Sequence, residues 1–168
     1  DVQPEYICNH SDHSGRYAFD KQPGIALWNL NALAHAFTGH LSIDELKDCL
    51  SQYEPRLLKT YSELMFDKLG LVNTQQSDMQ LVNSWLSLLH QDKRDYTNSF
   101  RLLCNLDRIS PSEFSDHFID RKAADDWLSQ YSKRMSEQPL SESQRLNHMR
   151  TINPLYVLRN YLAQQAID

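Results

Sequence analysis

The first 22 residues show no sustained hydrophobic period. From Leu27 onward, apolar residues recur at helical spacing almost to the end of the chain. Leu27, Leu30, Ala34 and Phe37 mark a first helical face, which Gly39 ends. Ser42-Ile43-Asp44-Glu45 forms a capping box: the serine hydroxyl and the glutamate carboxylate satisfy the orphan amides of a helix start. The face that follows runs through Leu46, Cys49, Leu50, Tyr53, Leu57, Tyr61, Leu64 and Met65 to a stop at Gly70. Pro55 removes one backbone donor from this stretch, so a kink or split is expected, with the bend near Ser51.

Residues 73 to 77 read as a loop. Leu81, Val82, Trp85, Leu88 and Leu89 then define a helix opened by Ser77 or Asp78. Another helix carries Tyr96, Phe100 and Leu103. Ser110-Pro111-Ser112-Glu113 joins an N-cap, a proline in the first turn and a capping acid. Ala123, Ala124, Trp127, Leu128, Tyr131 and Met135 form a further stripe. Ser141-Glu142-Ser143-Gln144 is a third capping box, leading into Leu146, Met149 and Ile152, and Asn153-Pro154 is read as the restart of a final helix bearing Leu155, Leu158, Tyr161 and Leu162. The expectation is an all-α chain of seven or eight helices. No constant period repeats along it, which disfavours a solenoid.

Composition sharpens this picture. Four glycines among 168 residues, set against many Leu, Ala, Gln and Ser, leave little for hairpins and strands. The length suits one domain with its own core. A net charge of −5 gives no electrostatic footprint for nucleic acid, so no nucleic-acid partner is expected. The apolar runs fall far short of the ~20 residues of a membrane span, so a soluble protein with no membrane partner is expected. The chain opens on Asp1-Val2-Gln3-Pro4 rather than on a basic, apolar leader, and reads as a piece of something longer. Cys8, Cys49 and Cys104 are odd in number and widely spaced, which fits a reducing compartment rather than a disulfide framework. Cys49 and Cys104 lie on apolar stripes and are expected to be buried and inert, whereas Cys8 sits in a polar run where a thiol stays accessible.

That run, from Tyr6 to Phe19, concentrates the candidate chemistry. Cys8, His10, Asp12 and His13, with Glu5 nearby, are metal-ligating types, but no second compact donor cluster accompanies them, so no metal site is assigned. Cys8 with His10 or His13 lacks a third orienting group for nucleophilic catalysis. The preferred reading is structural: Asn9, Ser11 and Asp12 make local turn bonds and Arg16 pairs with a carboxylate. Asp12-His13 and Asp116-His117 reverse the order found in helical phosphohydrolase dyads. Neither GxxxxGK[ST] nor GxGxxG occurs. No catalytic, cofactor-binding or metal-binding residue is therefore assigned within the chain.

Three separated segments, in order, carry a family resemblance. They are Cys8-Asn9-His10-Ser11-Asp12 with Gly15-Arg16-Tyr17 and Gln22-Pro23; Asp95-Tyr96-Thr97 with Phe100-Arg101; and Asn153-Pro154 with Val157-Leu158-Arg159-Asn160 and Leu162-Ala163-Gln164. Together they resemble the selenoprotein O / YdiU family of kinase-like protein nucleotidyltransferases. The resemblance implies a protein adenylyltransferase that moves AMP, or UMP, from ATP or UTP with Mg or Mn to Ser, Thr or Tyr hydroxyls of target proteins. It implies that residues 1–22 are an activation-segment-like stretch carrying the motif Asn9, His10, Ser11, Asp12 and Arg16, and that residues 23–168 are the helical C-terminal lobe of a kinase-like fold. The family's phosphate-binding, catalytic and metal-binding residues lie before the part that this chain matches. The chain alone is thus expected to be inactive, with its partners being the upstream catalytic part of the same protein and the protein substrates. The resemblance also implies a redox-regulatory role for Cys8 and a cytoplasmic location in bacteria, mitochondrial in eukaryotic relatives. The rival expectation, from a different class, is a stand-alone helical interaction module whose loop at residues 1–22 docks a partner.

Overall fold

Ser42, Ser110 and Ser141 each cap a helix in the manner the sequence predicts. Each hydroxyl accepts from the amide three residues on, and the Glu45, Glu113 or Gln144 side chain returns a bond to the serine amide. A computed structural model describes residues 3–9 and 11–168, and for Asn160 the backbone alone. His10 of the motif lies outside the described residues. Among the described residues there are nine α-helices and no strand: α1 Gln22–His35, α2 Ile43–Ser51, α3 Tyr53–Leu69, α4 Asp78–Gln91, α5 Tyr96–Leu103, α6 Pro111–Asp116, α7 Arg121–Ser136, α8 Glu142–Ile152 and α9 Asn160–Ile167. The expected bend near Ser51 is a break at Gln52 that separates α2 from α3 and raises the count from eight to nine. Pro55 falls in the first turn of α3, where its missing N–H has no intrahelical partner to lose.

The chain divides within α3 into two compact units, Gln3–Ser62 and Glu63–Asp168. The second holds the core. Leu81, Val82, Trp85, Leu88 and Leu89 of α4 are buried, as are Phe100 and Leu103 of α5, Ala124, Trp127, Leu128, Tyr131 and Met135 of α7, and Leu146 and Met149 of α8. Each set repeats at three or four residues, the spacing that puts one helical face inward. Trp85 is the hub: the rings of Phe100, Phe114, Phe118 and Trp127 surround it, with the Trp127 centroid 4.3 Å away.

Polar groups are tied into this core. Arg134 of α7 donates Nε–H to Asp78 Oδ1 at 2.7 Å, and its Nη2 reaches Asp78 Oδ2 and the Asn73 carbonyl. This buried ion pair fixes α7 against the start of α4. Asp92 accepts from the amides of Ile119 and Asp120, which positions the entry to α7. Tyr131 donates to the Leu69 carbonyl at 2.8 Å, and burial pushes its phenol well above the ordinary tyrosine range.

Unit Gln3–Ser62 is built differently. Leu46 and Ala18 are its buried apolar side chains among the described residues, and α1 buries none. Leu30 and Phe37, expected on a buried face, are exposed. Cys49, expected to be buried, is exposed as well: it shares the Leu46 side of α2 but borders an open groove beside Leu30 and Tyr53 instead of meeting a packed neighbour. Cys104 in the other unit is fully buried, as expected.

The last helix also departs from expectation. It begins at Asn160, not at Pro154. Asn153 takes an extended conformation (φ −91°, ψ 112°), which the proline after it favours, and residues 154–159 do not return to helix. Leu155 and Leu158 consequently lie exposed on the connecting segment.

Candidate functional site

The Asp12 loop in the first unit is organised by side chains that replace regular secondary structure. Asn9 Oδ1 accepts from the Ser11 amide at 3.0 Å and from its hydroxyl at 2.7 Å, an Asx turn. Asp12 Oδ1 accepts from the Arg16 amide at 3.0 Å and from Ser14 Oγ at 3.3 Å, while Oδ2 accepts from the Tyr17 amide at 2.7 Å. Gly15, at φ +70°, supplies the left-handed turn that brings these amides back to one carboxylate. The Tyr17 amide, above all, holds the Asp12 carboxyl below the ordinary aspartate range, helped by the Arg16 amide and the Ser14 hydroxyl. The ends of the loop are closed by the Phe19 amide on the Tyr6 carbonyl and the Asp20 amide on the Pro4 carbonyl.

Arg16 does not pair with a carboxylate among the described residues. Its guanidinium lies 4.8 Å from the Trp28 ring centroid and 5.7 Å from that of Tyr17, a cation–π contact that links the loop to α1. Gln22 donates to the Tyr17 carbonyl at 2.7 Å, and Tyr53 of α3 donates to the Pro23 carbonyl at 3.0 Å. The structure thus brings Asn9, Ser11, Asp12 and the Arg16 backbone into one turn, with the exposed Cys8 thiol beside it in sequence. Both Asp12 oxygens are occupied by the chain's own donors. Among the described residues, no group of three or more His, Cys, Asp or Glu is placed to hold a metal ion.

The other two motif segments meet in the second unit. Asp95 caps α5 by accepting from the Asn98 amide and also receives both Arg159 terminal nitrogens, at 2.7 and 3.1 Å. Arg101 does not pair with Asp95, its acidic neighbour in sequence. Its Nη1 donates to the carbonyls of Arg150 and Asn153, both at 3.0 Å, and so satisfies the end of α8. Asn153 is fully buried: its amide nitrogen donates to the Lys68 carbonyl at 2.9 Å, and its oxygen accepts from Lys68 Nζ at 3.3 Å. Lys68 Nζ also sits 5.3 Å from the Phe100 centroid and 5.5 Å from that of Tyr96. Burial holds its ammonium below the ordinary lysine range and pushes the neighbouring Cys104 thiol up.

Lys68 and the Asp78–Arg134 pair carry no signal in the sequence. Their partners lie 56 to 85 positions away, beyond the reach of any helical period or local motif. Asn153 carried one signal, its place before a proline, but that indicates a backbone conformation and not the contacts of its amide.

This chain, helical among its described residues, has relatives that are named protein nucleotidyltransferases. It is 53% identical over 169 residues to the protein nucleotidyltransferase YdiU of Pseudoalteromonas atlantica, a match covering 100% of this chain and 35% of that protein. To the YdiU protein of Vibrio vulnificus it is 52% identical, over 100% of this chain and 36% of the relative. To that of Yersinia pseudotuberculosis it is 48% identical, over 99% and 35%. The family model described as Protein adenylyltransferase SelO matches residues 1–168, and the chain belongs to that family. It spans about a third of the length of these relatives.

Proposed function

We propose that this chain is the C-terminal part of a protein nucleotidyltransferase that transfers AMP, or UMP, to Ser, Thr or Tyr hydroxyls of target proteins, and that its role there is to support the catalytic part. The family match across all 168 residues carries this reading. Residues 1–22 serve as an activation-segment-like stretch, fixed in shape by Asp12 and anchored through Arg16, and the helices that follow serve as the C-terminal lobe of a kinase-like fold. The exposed thiol of Cys8 is its redox-sensitive group. The bacterial relatives favour a cytoplasmic setting, and among the described residues no helix is long and apolar enough to cross a membrane.

Nucleotidyl transfer depends on cations that stabilise charge on the phosphates. The charged groups of the motif segments and of the core are taken up by the chain's own partners, which favours nucleotide and metal being held elsewhere in the longer protein. Asp12 is engaged by two backbone amides and a hydroxyl, Lys68 is tied to Asn153, Arg101 to two carbonyls, Arg134 to Asp78 and Arg145 to Tyr131. No step of the transfer is therefore assigned to this chain's own groups.

The test uses ATP and UTP labelled at the α-phosphate, with Mg or Mn, on the full-length polypeptide carrying this sequence and on the 168-residue chain. Labelling of protein by the former and none by the latter is expected; transfer by the 168-residue chain overturns the reading. An inactive product of a reading frame that starts near Asp1 supports the stand-alone interaction module. In the same assay the full-length Cys8→Ser variant is expected to lose sensitivity to a disulfide-forming oxidant, and unchanged sensitivity removes the redox role.

A further inference from the structure

We propose that the exposed apolar surface of Gln3–Ser62, made by α1 and the groove that α1 forms with α2 and α3, docks against the part of the same polypeptide that lies outside this chain. A unit of this size is stable when it buries a core, and this one buries only Ala18 and Leu46 among its described apolar side chains. Helix α1 presents Leu30 and Leu33, with Phe37 in the turn beyond its end, at the spacing of one helical stripe; Leu33 is 57% exposed and Phe37 45%. Trp28, under Arg16, lies on the other side of α1 and is not part of this stripe. Beside the stripe lies an open groove of about 530 Å³, lined by Leu30 of α1, Cys49 of α2, and Tyr53, Arg56 and Leu57 of α3 among others. Exposed apolar side chains grouped beside polar ones mark an interaction site, and Leu30 belongs to both the stripe and the groove.

The choice of occupant rests on the length of the relatives. About two thirds of each relative's length lies outside the match, while the matched third is about half identical to this chain. A covalently linked partner is present at a high effective concentration whenever the protein is made, which a second copy is not. The occupant is therefore an apolar helical or extended face of the remaining polypeptide, which lies over Leu33 and Phe37 and inserts side chains into the groove.

This inference rests on the reading of the chain as part of a longer protein, and its test measures burial instead of transfer. Amide hydrogen exchange is compared between the full-length polypeptide and the 168-residue chain. Peptides covering residues 24–37 are expected to exchange at least about tenfold more slowly in the full-length protein, at any protein concentration. In the full-length protein Leu33→Asp is expected to lower the melting temperature, whereas Gln130→Asp, a matched charge change on the exposed side of α7, leaves it unmoved. Equal exchange in the two proteins overturns the proposal. So does protection that appears only as concentration rises, which assigns the face to a second copy. Protection without nucleotide transfer removes the proposed activity and leaves the docking intact; transfer without protection does the reverse.

Discussion

Asp12 stands in an exposed loop, yet it determines the path of the chain from its own position to Tyr17. Its carboxylate takes two backbone amides and a hydroxyl, each of which prefers the ionised form. Because these bonds depress the folded-state pKa, their stabilisation is present above the unfolded value of about 3.9 and is lost as pH falls through the lower folded value. The Arg16 and Tyr17 amides are therefore expected to keep their exchange protection from pH 7 to about pH 4.5 and to lose it in more acidic solution. Asp12→Asn keeps one acceptor oxygen but removes the ionisation, so its loop should be less protected at neutral pH and show no acid transition in this range. An acid transition of the same midpoint in that variant would assign the titration to another group. The sequence supplied part of this. Asn9, Ser11 and Asp12 are turn formers at turn spacing, and that much was legible. The choice of Trp28 over a carboxylate by Arg16 was not, because it depends on where α1 begins and which way its second turn faces.

At the scale of the element, helix ends were legible wherever the capping chemistry is local. A serine with Glu or Gln three residues later marks α2, α6 and α8 because donor and acceptor belong to one turn. Asn153-Pro154 misled, since a proline is compatible with a helix start and equally with an extended exit from α8. Buried contacts of Asn153 to Lys68 favour the exit, and they link residues 85 apart. Gly70 is a stop whose cause lies outside its own helix. At φ +75° it takes the left-handed conformation that closes α3, and a Cβ there would lie 2.7 Å from Arg145 Cγ and 2.8 Å from Met149 Sδ. Both neighbours are buried on α8. Gly70→Ala therefore combines backbone strain with overpacking and should cost about 1–3 kcal/mol in urea unfolding. A matched Gly39→Ala substitution, with open space around its Cβ and no positive φ, should stay within about 0.5 kcal/mol. Equal effects at the two positions would show that loss of glycine flexibility, and not the α8 contact, governs the end of α3.

For the molecule as a whole, the amphipathic stripes of the first 62 residues and of the remainder look alike in sequence. Periodicity tells which side of a helix is apolar but not whether anything meets it, and here the two units differ in that respect. Glu63–Asp168 encloses a core of twenty buried side chains around Trp85, whereas Gln3–Ser62 leaves its α1 stripe in water. The unfolding of the 168-residue chain should then proceed in two steps. The three tryptophans separate them: Trp28 belongs to the exposed unit, while Trp85 and Trp127, with centroids 4.3 Å apart, couple inside the core. In rising urea, part of the helical far-ultraviolet circular dichroism should disappear first, without change in the near-ultraviolet signal of the Trp85–Trp127 pair. The rest should fall together with that signal at higher denaturant. Trp28→Phe should leave the near-ultraviolet transition in place, and Trp127→Phe should abolish most of its amplitude. If both signals instead fall along one coincident curve, Gln3–Ser62 draws its stability from the same core as the remainder, and its exposed stripe is surface that the fold tolerates without a partner.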